Sequence, residues 1–483
     1  MLVRAGLVTE DQVASAAASQ FQDGGRLGDH LAAMGAISPE ALEAFLHRTP
    51  KEPSNLSETG IDQGELLSLL LKLVYVERLA TIPQFANAIK LAPHVVMDLV
   101  RMALDRHLLH STGSTDDQFS NIRYALSDEG KHWAIDALQQ CRYAGPAPVT
   151  LNDFTQQVAL QKLTNETITH QAIRASLSDL VVDERLIEQS GPAMTTSRAI
   201  LLYGPPGNGK TSVAVRLATV FEDIVYIPHA ISIDGQIVRV FDTSLHEPVD
   251  SDDPSEDENS FVRRSRYDTR WVPCRRPIAI TGGELTLDML ELRYDPVANL
   301  YEAPLHVKAL NGCLFIDDFG RQLVSPTHLL NRWIVPLESR IDFLRLHTGK
   351  VVRIPFEELL IFSTNLDPED LMDPAFLRRL PYKIEISAPS LDHFRRILEL
   401  EARRHGLEVN EKVFEQIVSR ITEDKGLELA AYHPRFIVEQ VVATCRFLGE
   451  SLHFYPRFVD HAIDNLRVRR PTDKGPSVTH ARV

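Results

Sequence analysis

One stretch of the chain has the residue types and the spacing that phosphate chemistry needs: Gly204, Pro205, Pro206, Gly207, Asn208, Gly209, Lys210, Thr211 and Ser212. It follows the apolar run 199–203 and precedes a run that favours a helix, so the pattern G-x-x-x-x-G-K-[ST] lies in a strand–turn–helix context. Glycines let successive backbone N–H groups converge on a phosphate, and a helix N-terminus favours its negative charge. Lys210 would reach the outer phosphates and Thr211 would offer a hydroxyl to Mg²⁺. The pattern therefore predicts a phosphate-binding (Walker A) loop.

Two adjacent carboxylates, Asp317 and Asp318, follow the apolar residues 313–316, which predict a buried strand. A carboxylate at a strand end can hold the hydration shell of Mg²⁺, and a second can polarise the water that attacks a phosphate. Acidic strand ends are common by themselves. Together with Lys210 and Thr211, however, they predict that Asp317 serves the metal and that Asp318 serves as the base.

Three further polar side chains join the loop and the acids. Asn365 ends a second apolar strand pattern over 359–364, Arg378 follows in the segment 373–380, and Arg435 falls in the first turn of a predicted helix. Loop, acids, asparagine and arginines occur in the order found in AAA+ ATPases, which residues 175–470 resemble. The resemblance implies that Asn365 orients the attacking water, Arg378 reaches the γ-phosphate of a neighbouring subunit, and Arg435 senses the nucleotide from a lid.

This resemblance also carries expectations for fold and assembly. It implies the α/β class of P-loop NTPases, with a parallel sheet flanked by helices over 175–388, a helical lid over 389–470 and a disordered tail over 471–483. A finger arginine acting across an interface implies a homo-oligomer, expected as a hexameric ring, with ATP and Mg²⁺ as cofactors. Two positions depart from the family pattern. Asp318 replaces the usual glutamate, which allows for slow hydrolysis or a shifted water, and Pro381 replaces a second arginine, which leaves Arg378 and Arg379 as finger candidates.

Residues 339–354 contain two strand-like arms around Thr348 and Gly349, which predict a hairpin. A hairpin at this place resembles the one before the sensor strand in the AAA+ branch of MoxR-type chaperones, magnesium chelatase subunits and RuvB-like motors. The resemblance implies that it faces the channel of a ring; a sheet-edge hairpin without substrate contact is the alternative. A second hairpin is predicted around Asp234 and Gly235, within residues 224–241.

Residues 1–50 hold an imperfect duplication of a short helix, a glycine and a second helix. The second copy resembles the N-terminal domain of type II secretion and type IV pilus assembly ATPases through Arg26, Leu27, Gly28, Leu31, Gly35, Ile37, Leu42 and Leu46. In that family the motif can bind cyclic di-GMP. Here Thr49 stands where a glutamine is usual, and the first copy lacks the R-L-G triplet. We therefore expect a similar fold ahead of cyclic di-GMP binding.

Residues 61–145 show three helical patterns and then two strand-like runs, the order of a winged helix-turn-helix. Such a domain often reads DNA with its third helix, here around 93–101, and a DNA reader shows a basic stripe. Residues 62–143 hold eight Lys or Arg against ten carboxylates. Protein docking or structural packing is therefore expected ahead of DNA binding. Residues 146–174 are expected to link this domain to the ATPase module.

Charge and cysteine content bear on the partners and the localisation of the protein. The 483 residues carry a net charge of −15, which argues against broad attraction to nucleic acid or anionic membrane. The four cysteines form no C-x-x-C pair, and no apolar run is long enough to span a membrane. We expect a cytoplasmic protein without membrane insertion. Seven carboxylates in 247–260 predict a disordered acidic loop, and the arginine-rich segment 263–276 either neutralises it, the favoured interpretation, or binds a partner.

Together these patterns predict a Mg²⁺-dependent ATPase that couples ATP hydrolysis to the remodelling of a protein or complex, under control of its N-terminal domains. The N-terminal resemblance points to a bacterial secretion, pilus or cyclic-di-GMP context, and the sequence names no protein client. Two alternatives stay open. One is a DNA-associated motor or transcriptional regulator that uses the winged helix, and the other is a nucleotide-gated scaffold with little turnover.

Overall fold

The computed structural model describes residues 8–23, 27–38, 48–114, 122–249, 267–424 and 426–466. The helices before the central sheet are α1 (Glu10–Asp23), α2 (Leu27–Ala33), α3 (Gln63–Glu77), α4 (Ile82–Ile89), α5 (Pro93–Asp105), α6 (Asp128–Gln140), α7 (Leu151–Leu160), α8 (His170–Ser176) and α9 (Glu184–Thr196). Those that follow are α10 (Lys210–Ala218), α11 (Leu305–Lys308), α12 (Pro326–Ser339), α13 (Pro368–Leu371), α14 (Pro374–Leu377), α15 (Leu391–Arg404), α16 (Glu411–Ser419), α17 (Tyr432–Leu448) and α18 (Pro456–Asp464). The strands are β1 (Leu109–Ser114), β2 (Ile122–Leu126), β3 (Val149–Thr150), β4 (Ile200–Tyr203), β5 (Val225–Pro228), β6 (Ala230–Ile233), β7 (Gln236–Arg239), β8 (Trp271–Cys274), β9 (Ile278–Thr281), β10 (Arg293–Asp295), β11 (Leu300–Glu302), β12 (Cys313–Ile316), β13 (Ile341–Arg345), β14 (Val351–Pro355), β15 (Leu359–Thr364) and β16 (Tyr382–Glu385).

Five parallel strands form the central sheet in the order β16-β4-β15-β12-β9. The strands β4 and β12 and the first four residues of β15 are continuous apolar runs because they are buried on both faces. Alternate residues of β4 point to opposite faces of the sheet. Ile200 and Leu202 share an apolar cluster with α9 and α10, whereas Leu201 shares one with α12. Helices thus cover both faces, which confirms the predicted α/β fold class.

A second sheet of five strands is mixed and has the order β10-β11-β7-β6-β3. Its β6–β7 hairpin turns at Asp234 and Gly235, whose φ angles of 50° and 75° suit the tight turn predicted there. The strand β3 comes from the stretch expected to be a linker. Phe154 and Val158 of the following α7 are buried in the same apolar cluster as β6 and β7. Residues 149–160 are therefore packed against the second sheet.

The hairpin predicted before the asparagine strand is formed by β13 and β14. One of its faces is buried, because Leu344 and Val352 join the apolar cluster of the second sheet. Its other face exposes Phe343 and Val351, which are 47% and 50% accessible and alternate with two exposed arginines. Packing on one side leaves the outward face available for contact with another molecule.

Residues 61–145 form α3, α4 and α5 and then the β1–β2 hairpin, followed by α6. The apolar cluster of this region also includes Ala230 and Leu300, so the region is packed onto the second sheet. On α5, Arg101 is paired with Asp98 at 2.9 Å. Both side chains are exposed to solvent, and α5 carries one arginine against two aspartates rather than a basic stripe.

The N-terminal segment is described in part. Four apolar side chains of α1, α2 and their flanks are buried together: Val8, Ala16, Leu31 and Ile37. Thr9 caps α1, because its hydroxyl accepts the backbone N–H of Gln12 while the Gln12 amide oxygen accepts the N–H of Thr9. Several residues used for the sequence-based predictions lie outside the described residues: Arg26, Leu42, Leu46, Arg263, Arg264, Arg266, the acidic residues 250–260 and the tail 471–483.

Two arginines of the predicted basic segment are buried, which corrects both interpretations of that segment for these residues. Arg270 pairs with Asp268 at 2.8 Å and also donates to the backbone carbonyl of Thr59. Arg276 pairs with Glu166 at 3.0 Å. Both guanidinium groups tie together segments that are distant in sequence, since five N–H donors can satisfy several buried acceptors at once. Their described partners are therefore buried or partly buried groups within the fold.

Arg275 is the described arginine of this segment that does lie beside the acidic loop, 3.6 Å from Glu247. Both side chains are largely exposed, so the pair adds little to stability. The neighbouring Trp271 is buried and is not a surface aromatic. Neutralisation of the acidic loop is thus represented by a single weak pair among the described residues.

Helices α15 to α18 form a unit with its own apolar core, which includes Phe394, Ile417, Ile437 and Val459. The α17 helix of this unit begins at Tyr432, next to the predicted phosphate loop. The expected helical lid thus corresponds to this unit, and the start of α17 contacts the loop. Among the described helices, we find none with the length and apolar character to cross a lipid bilayer.

Candidate active site

The predicted phosphate-binding loop connects β4 to α10. Gly207 and Gly209 have φ angles of 80° and 86°, which favour glycine. The backbone N–H groups of Gly207, Asn208 and Gly209 form no hydrogen bond with any described residue. Successive free N–H groups around left-handed residues make a concave anion site. The loop therefore has the donors that a phosphate needs, and these donors are not engaged elsewhere in the described chain.

The other loop positions shape the turn. A side chain at Gly204 would place its Cβ 2.5 Å from the carbonyl oxygen of Ile386, just after β16, so the close approach of two backbones requires glycine there. Pro205 and Pro206 are exposed at the apex, and Ser212 is exposed in the first turn of α10. These three residues border the loop on its solvent side.

Lys210 begins α10 with its side chain turned back into the loop. Its Nζ donates to the carbonyl oxygens of Gly204 and Pro205, both at 2.9 Å, and the residue is 6% exposed. Burial lowers the pKa of the Lys210 ammonium group, while the carboxylates of Asp318 and Asp317 act in the opposite direction. An ammonium group held by neutral carbonyls gains charge pairing when phosphate oxygens replace them. Lys210 is thus placed for phosphate binding.

Asp317 lies between the loop and the adjacent strand β15. Its Oδ2 accepts the hydroxyl hydrogen of Thr211 at 2.8 Å, and its Oδ1 accepts the hydroxyl hydrogen of Ser363. A hydroxyl and a carboxylate supply the hard oxygen ligands that Mg²⁺ prefers, with water in its remaining positions. The oxygen atoms of Thr211 and Asp317 are therefore a pair of ligands that fits a magnesium ion.

Asp318 has a left-handed backbone, with a φ of 48°, where the chain leaves β12. Nδ2 of Asn365 donates to Oδ1 of Asp318 at 2.7 Å, so the predicted base and the predicted water-orienting amide are in direct contact. The N–H of Asp318 donates to Oδ1 of Asp317 at 3.0 Å. The ends of β12 and β15 thus hold both acids and the amide in one hydrogen-bonded network.

Ser363 belongs to this network, although the sequence reasoning assigned it no role. It is 0% exposed within β15, and its hydroxyl donates to Asp317 and lies 3.3 Å from the N–H of Asp318. Two hydroxyl side chains, Ser363 and Thr364, end the apolar run of β15 directly before Asn365, and they were the available signal, because buried polar groups need partners. The sheet order places β15 between β4 and β12, and this brings Ser363 beside Asp317.

The two candidate finger arginines have different surroundings. Arg379 is paired with Glu338 of α12, at 2.6 Å. Arg378 is exposed just after α14, and its side chain forms no hydrogen bond or ion pair with the described residues. A guanidinium group that acts on another subunit must be free to leave its own surface. Of the two, Arg378 is the side chain without a partner among the described residues.

Arg435 lies one turn into α17, and its Nε donates to Glu439 of the same helix at 2.8 Å. The side chain is 71% exposed, so the pair is readily broken. The start of α17 contacts the loop, since the N–H of Tyr432 donates to the carbonyl oxygen of Gly207 at 3.0 Å. The structure thus brings the helix of Arg435 to the loop while the guanidinium itself is paired on its own helix.

Comparisons with known proteins add the following. A family model described as a domain of unknown function (DUF8689) matches residues 390–465, which include most of the lid. A search of curated proteins gave no match. Among solved structures, NtrX from Brucella abortus in complex with ATP is 13% identical, with a TM-score of 0.37, over 59% of this chain and 56% of that chain.

Two further solved structures are similarly distant. NtrX from Brucella abortus in complex with ADP is 13% identical, with a TM-score of 0.38, over 72% of this chain and 69% of that one. A RuvB mutant from Thermotoga maritima is 14% identical, with a TM-score of 0.33, over 63% of this chain and 72% of that one. This chain therefore spans little more than half of the first NtrX chain. Similarities of this size assign neither a family nor an activity, so function has to be argued from the site.

Proposed function

We propose that this protein is an AAA+ ATPase that binds ATP with Mg²⁺ at residues 204–212 and hydrolyses it. One observation carries the proposal: three groups lie together at the ends of neighbouring parallel strands. They are a glycine loop whose N–H groups have no partner among the described residues, the Thr211–Asp317 pair and the Asp318–Asn365 contact. A strand end with a catalytic carboxylate, a loop for phosphates and a polar amide is the arrangement that phosphoryl transfer to water requires.

Each residue has a separate task in this proposal. The loop N–H groups and Lys210 bind and orient the phosphates, which brings the γ-phosphate to the acidic strand end. Thr211 and Asp317 would hold Mg²⁺, which when bound offsets negative charge on the phosphate oxygens. Asp318 accepts a proton from the attacking water, and Asn365 restrains the Asp318 carboxylate and orients that water. Arg435 would approach the phosphates when its pair with Glu439 opens.

Assembly as a homo-oligomer, with a hexameric ring as the expected form, belongs to the same proposal. Arg378 is exposed and without a described partner, which supports action on the site of a neighbouring copy. A cation delivered to the transferred phosphate from outside stabilises charge in the transition state. Each site would therefore be complete only when two copies meet.

The work done with ATP is proposed to be remodelling of a protein or a complex. The outward face of the β13–β14 hairpin, with Phe343 and Val351 exposed beside two arginines, is a candidate contact for that client. The presence of this hairpin directly before β15 also supports membership of the AAA+ branch that carries a hairpin before the sensor strand. The region 61–145 would dock proteins in preference to DNA, because its third helix carries one arginine against two aspartates. For the N-terminal segment, a similar fold ahead of cyclic di-GMP binding stays the expectation from its repeat motif.

Fluorescence anisotropy with labelled duplex DNA distinguishes protein remodelling from a DNA-linked function. The remodelling proposal predicts only weak binding at physiological salt, and this binding should disappear as the salt concentration is raised. A dissociation constant in the nanomolar range under these conditions would instead support a motor or regulator that acts on DNA.

A nucleotide-gated scaffold is the second candidate, because Asp318 is one methylene shorter than glutamate and is hydrogen-bonded to Asn365. Steady-state phosphate release distinguishes the two. The ATPase proposal predicts Mg²⁺-dependent turnover that Lys210→Ala abolishes and that Lys412→Ala, at an exposed lysine of α16, leaves unchanged. ATP binding without turnover would support the scaffold. Turnover that survives Lys210→Ala would refute the assigned site.

A further inference from the structure

The start of the lid helix α17 is joined to the phosphate loop by two hydrogen bonds and a ring contact. The N–H of Ala431 donates to Oδ1 of Asn208 at 3.1 Å, and the N–H of Tyr432 donates to the carbonyl oxygen of Gly207 at 3.0 Å. A Cβ added at Gly207 would lie 2.4 Å from Cδ1 of Tyr432, so the ring rests directly on that glycine. We call these contacts the Asn208 latch.

Asn208 is the one side chain of the loop that contributes to this latch. It is 8% exposed, and its Nδ2 finds no hydrogen-bond partner among the described residues although it is buried. When only one of the two polar atoms of a buried amide is hydrogen-bonded, that hydrogen bond alone fixes the orientation of the side chain. The interaction of Oδ1 with Ala431 therefore decides where the Asn208 side chain points.

The latch does not compete with phosphate binding. It uses the Gly207 carbonyl oxygen and the Asn208 side chain, whereas the N–H groups of Gly207, Asn208 and Gly209 stay free of described partners. The loop can thus bind phosphate through its N–H groups and the lid through its carbonyl and amide oxygens at the same time. A movement of the loop when phosphate binds must also move the oxygens that hold the start of α17.

We propose that Asn208 is a positioning residue that fixes the start of α17 on the loop and thereby sets where Arg435 stands when nucleotide is bound. Arg435 lies three residues after Tyr432 on the same helix, so the latch and the arginine move as one rigid piece. This inference rests on the proposed ATPase function, because the position of the lid matters to catalysis only if the loop binds nucleotide.

Amide hydrogen exchange and nucleotide titration test the inference directly. Asn208→Ala should speed the exchange of the Ala431 amide about tenfold without nucleotide, because its acceptor is gone. The same variant should weaken the binding of a fluorescent ATP analogue about fivefold. Tyr432→Ala, which keeps the backbone donor and removes the ring, should change both quantities less and in the same direction.

Asn410→Ala is the matched control. Asn410 caps α16 by accepting the Val413 N–H at 3.0 Å, so this variant loses an asparagine cap within the same lid but away from the loop. It should leave exchange at Ala431 unchanged, and ATP affinity within about twofold. An effect equal to that of Asn208→Ala would mean that any weakening of the lid suffices, which would overturn a positioning role.

A double-mutant cycle with Arg435→Ala separates positioning from simple destabilisation. If Asn208 acts through Arg435, Asn208→Ala should cost about fivefold in affinity with Arg435 present and less than about twofold without it. Additive losses, unchanged affinity or tighter binding in Asn208→Ala would overturn the inference while leaving the ATPase proposal intact. Failure of the unmodified protein to bind ATP would overturn both.

Discussion

Replacing Ser363 by alanine perturbs the network that joins the proposed metal ligand to the proposed base. Asp317 would lose the hydrogen bond from Ser363, and the N–H of Asp318 would lose an acceptor at 3.3 Å. Ser363 is fully buried, so solvent does not readily replace its hydroxyl. A hydrogen bond to a charged group contributes about 1.5–3 kcal/mol, and loss of a residue that orients a metal ligand costs about 10- to 100-fold in metal affinity or activity. We expect the Mg²⁺ concentration for half-maximal turnover to rise about tenfold.

Phosphate release at saturating ATP, measured over a Mg²⁺ titration, gives this concentration. Ser190→Ala is the matched control, because Ser190 is also fully buried and donates to a backbone carbonyl within α9 at 2.7 Å. The control should lower Tm without changing the Mg²⁺ requirement. An unchanged requirement in Ser363→Ala, or the same increase in the control, would refute the reasoning that Asp317 is held for the metal by Ser363.

Three other substitutions or conditions probe the loop, the finger and the lid. Gly207→Ala, at a φ of 80° and against the Tyr432 ring, should weaken ATP binding at least about tenfold by equilibrium titration; Gly406→Ala, at a φ of 73° with open space around it, should cost stability alone. Arg378→Ala should lower turnover at least about a hundredfold with ATP affinity unchanged, and mixing with Lys210→Ala subunits should restore part of the activity, because the second variant still supplies the arginine. Burial lowers the pKa of His433 from 6.5 to about 4, so the unfolded chain binds a proton that the folded chain does not in this window. The share of His433 in the free energy of unfolding should therefore fall by about 2 kcal/mol as the pH drops from about 7 to 4.5. Denaturant titrations of the chain and of His433→Gln give this share by difference, and parallel pH profiles of the two would contradict it.

Local patterns predicted much of the site because they depend on neighbours in sequence. The glycine loop, the apolar runs of β4, β12 and β15, and both hairpins follow from local rules on φ angles and side-chain alternation, and the structure has them where those rules place them. The carboxyl ends of parallel strands meet at one edge of a sheet, which is reason enough to expect Asp317 and Asn365 near the loop.

Local sequence patterns did not predict the contacts between segments that are distant in the chain. Arg270 and Arg276 look like surface charges in sequence. Only the fold shows that Arg270 donates to the distant carbonyls of Thr59 and Pro148 and that Arg276 pairs with the distant Glu166. The strand β3 and the helix α7 look like a linker and instead complete the second sheet and its core. In each case the deciding interaction joins residues far apart in the chain, and local propensity carries no record of which segments will meet.

The sequence by itself identified the residues proposed to bind phosphate, because the backbone geometry of Gly207 and Gly209 and the amine of Lys210 follow from a local motif. The tertiary structure decided how they are supported. It set β15 between β4 and β12, which brought Ser363 to Asp317, and it docked α17 on Asn208, which gave the loop a contact with the lid. The physical reason is that sheet order and helix docking follow from burial of apolar faces over the whole chain, whereas a phosphate loop needs only its own residues.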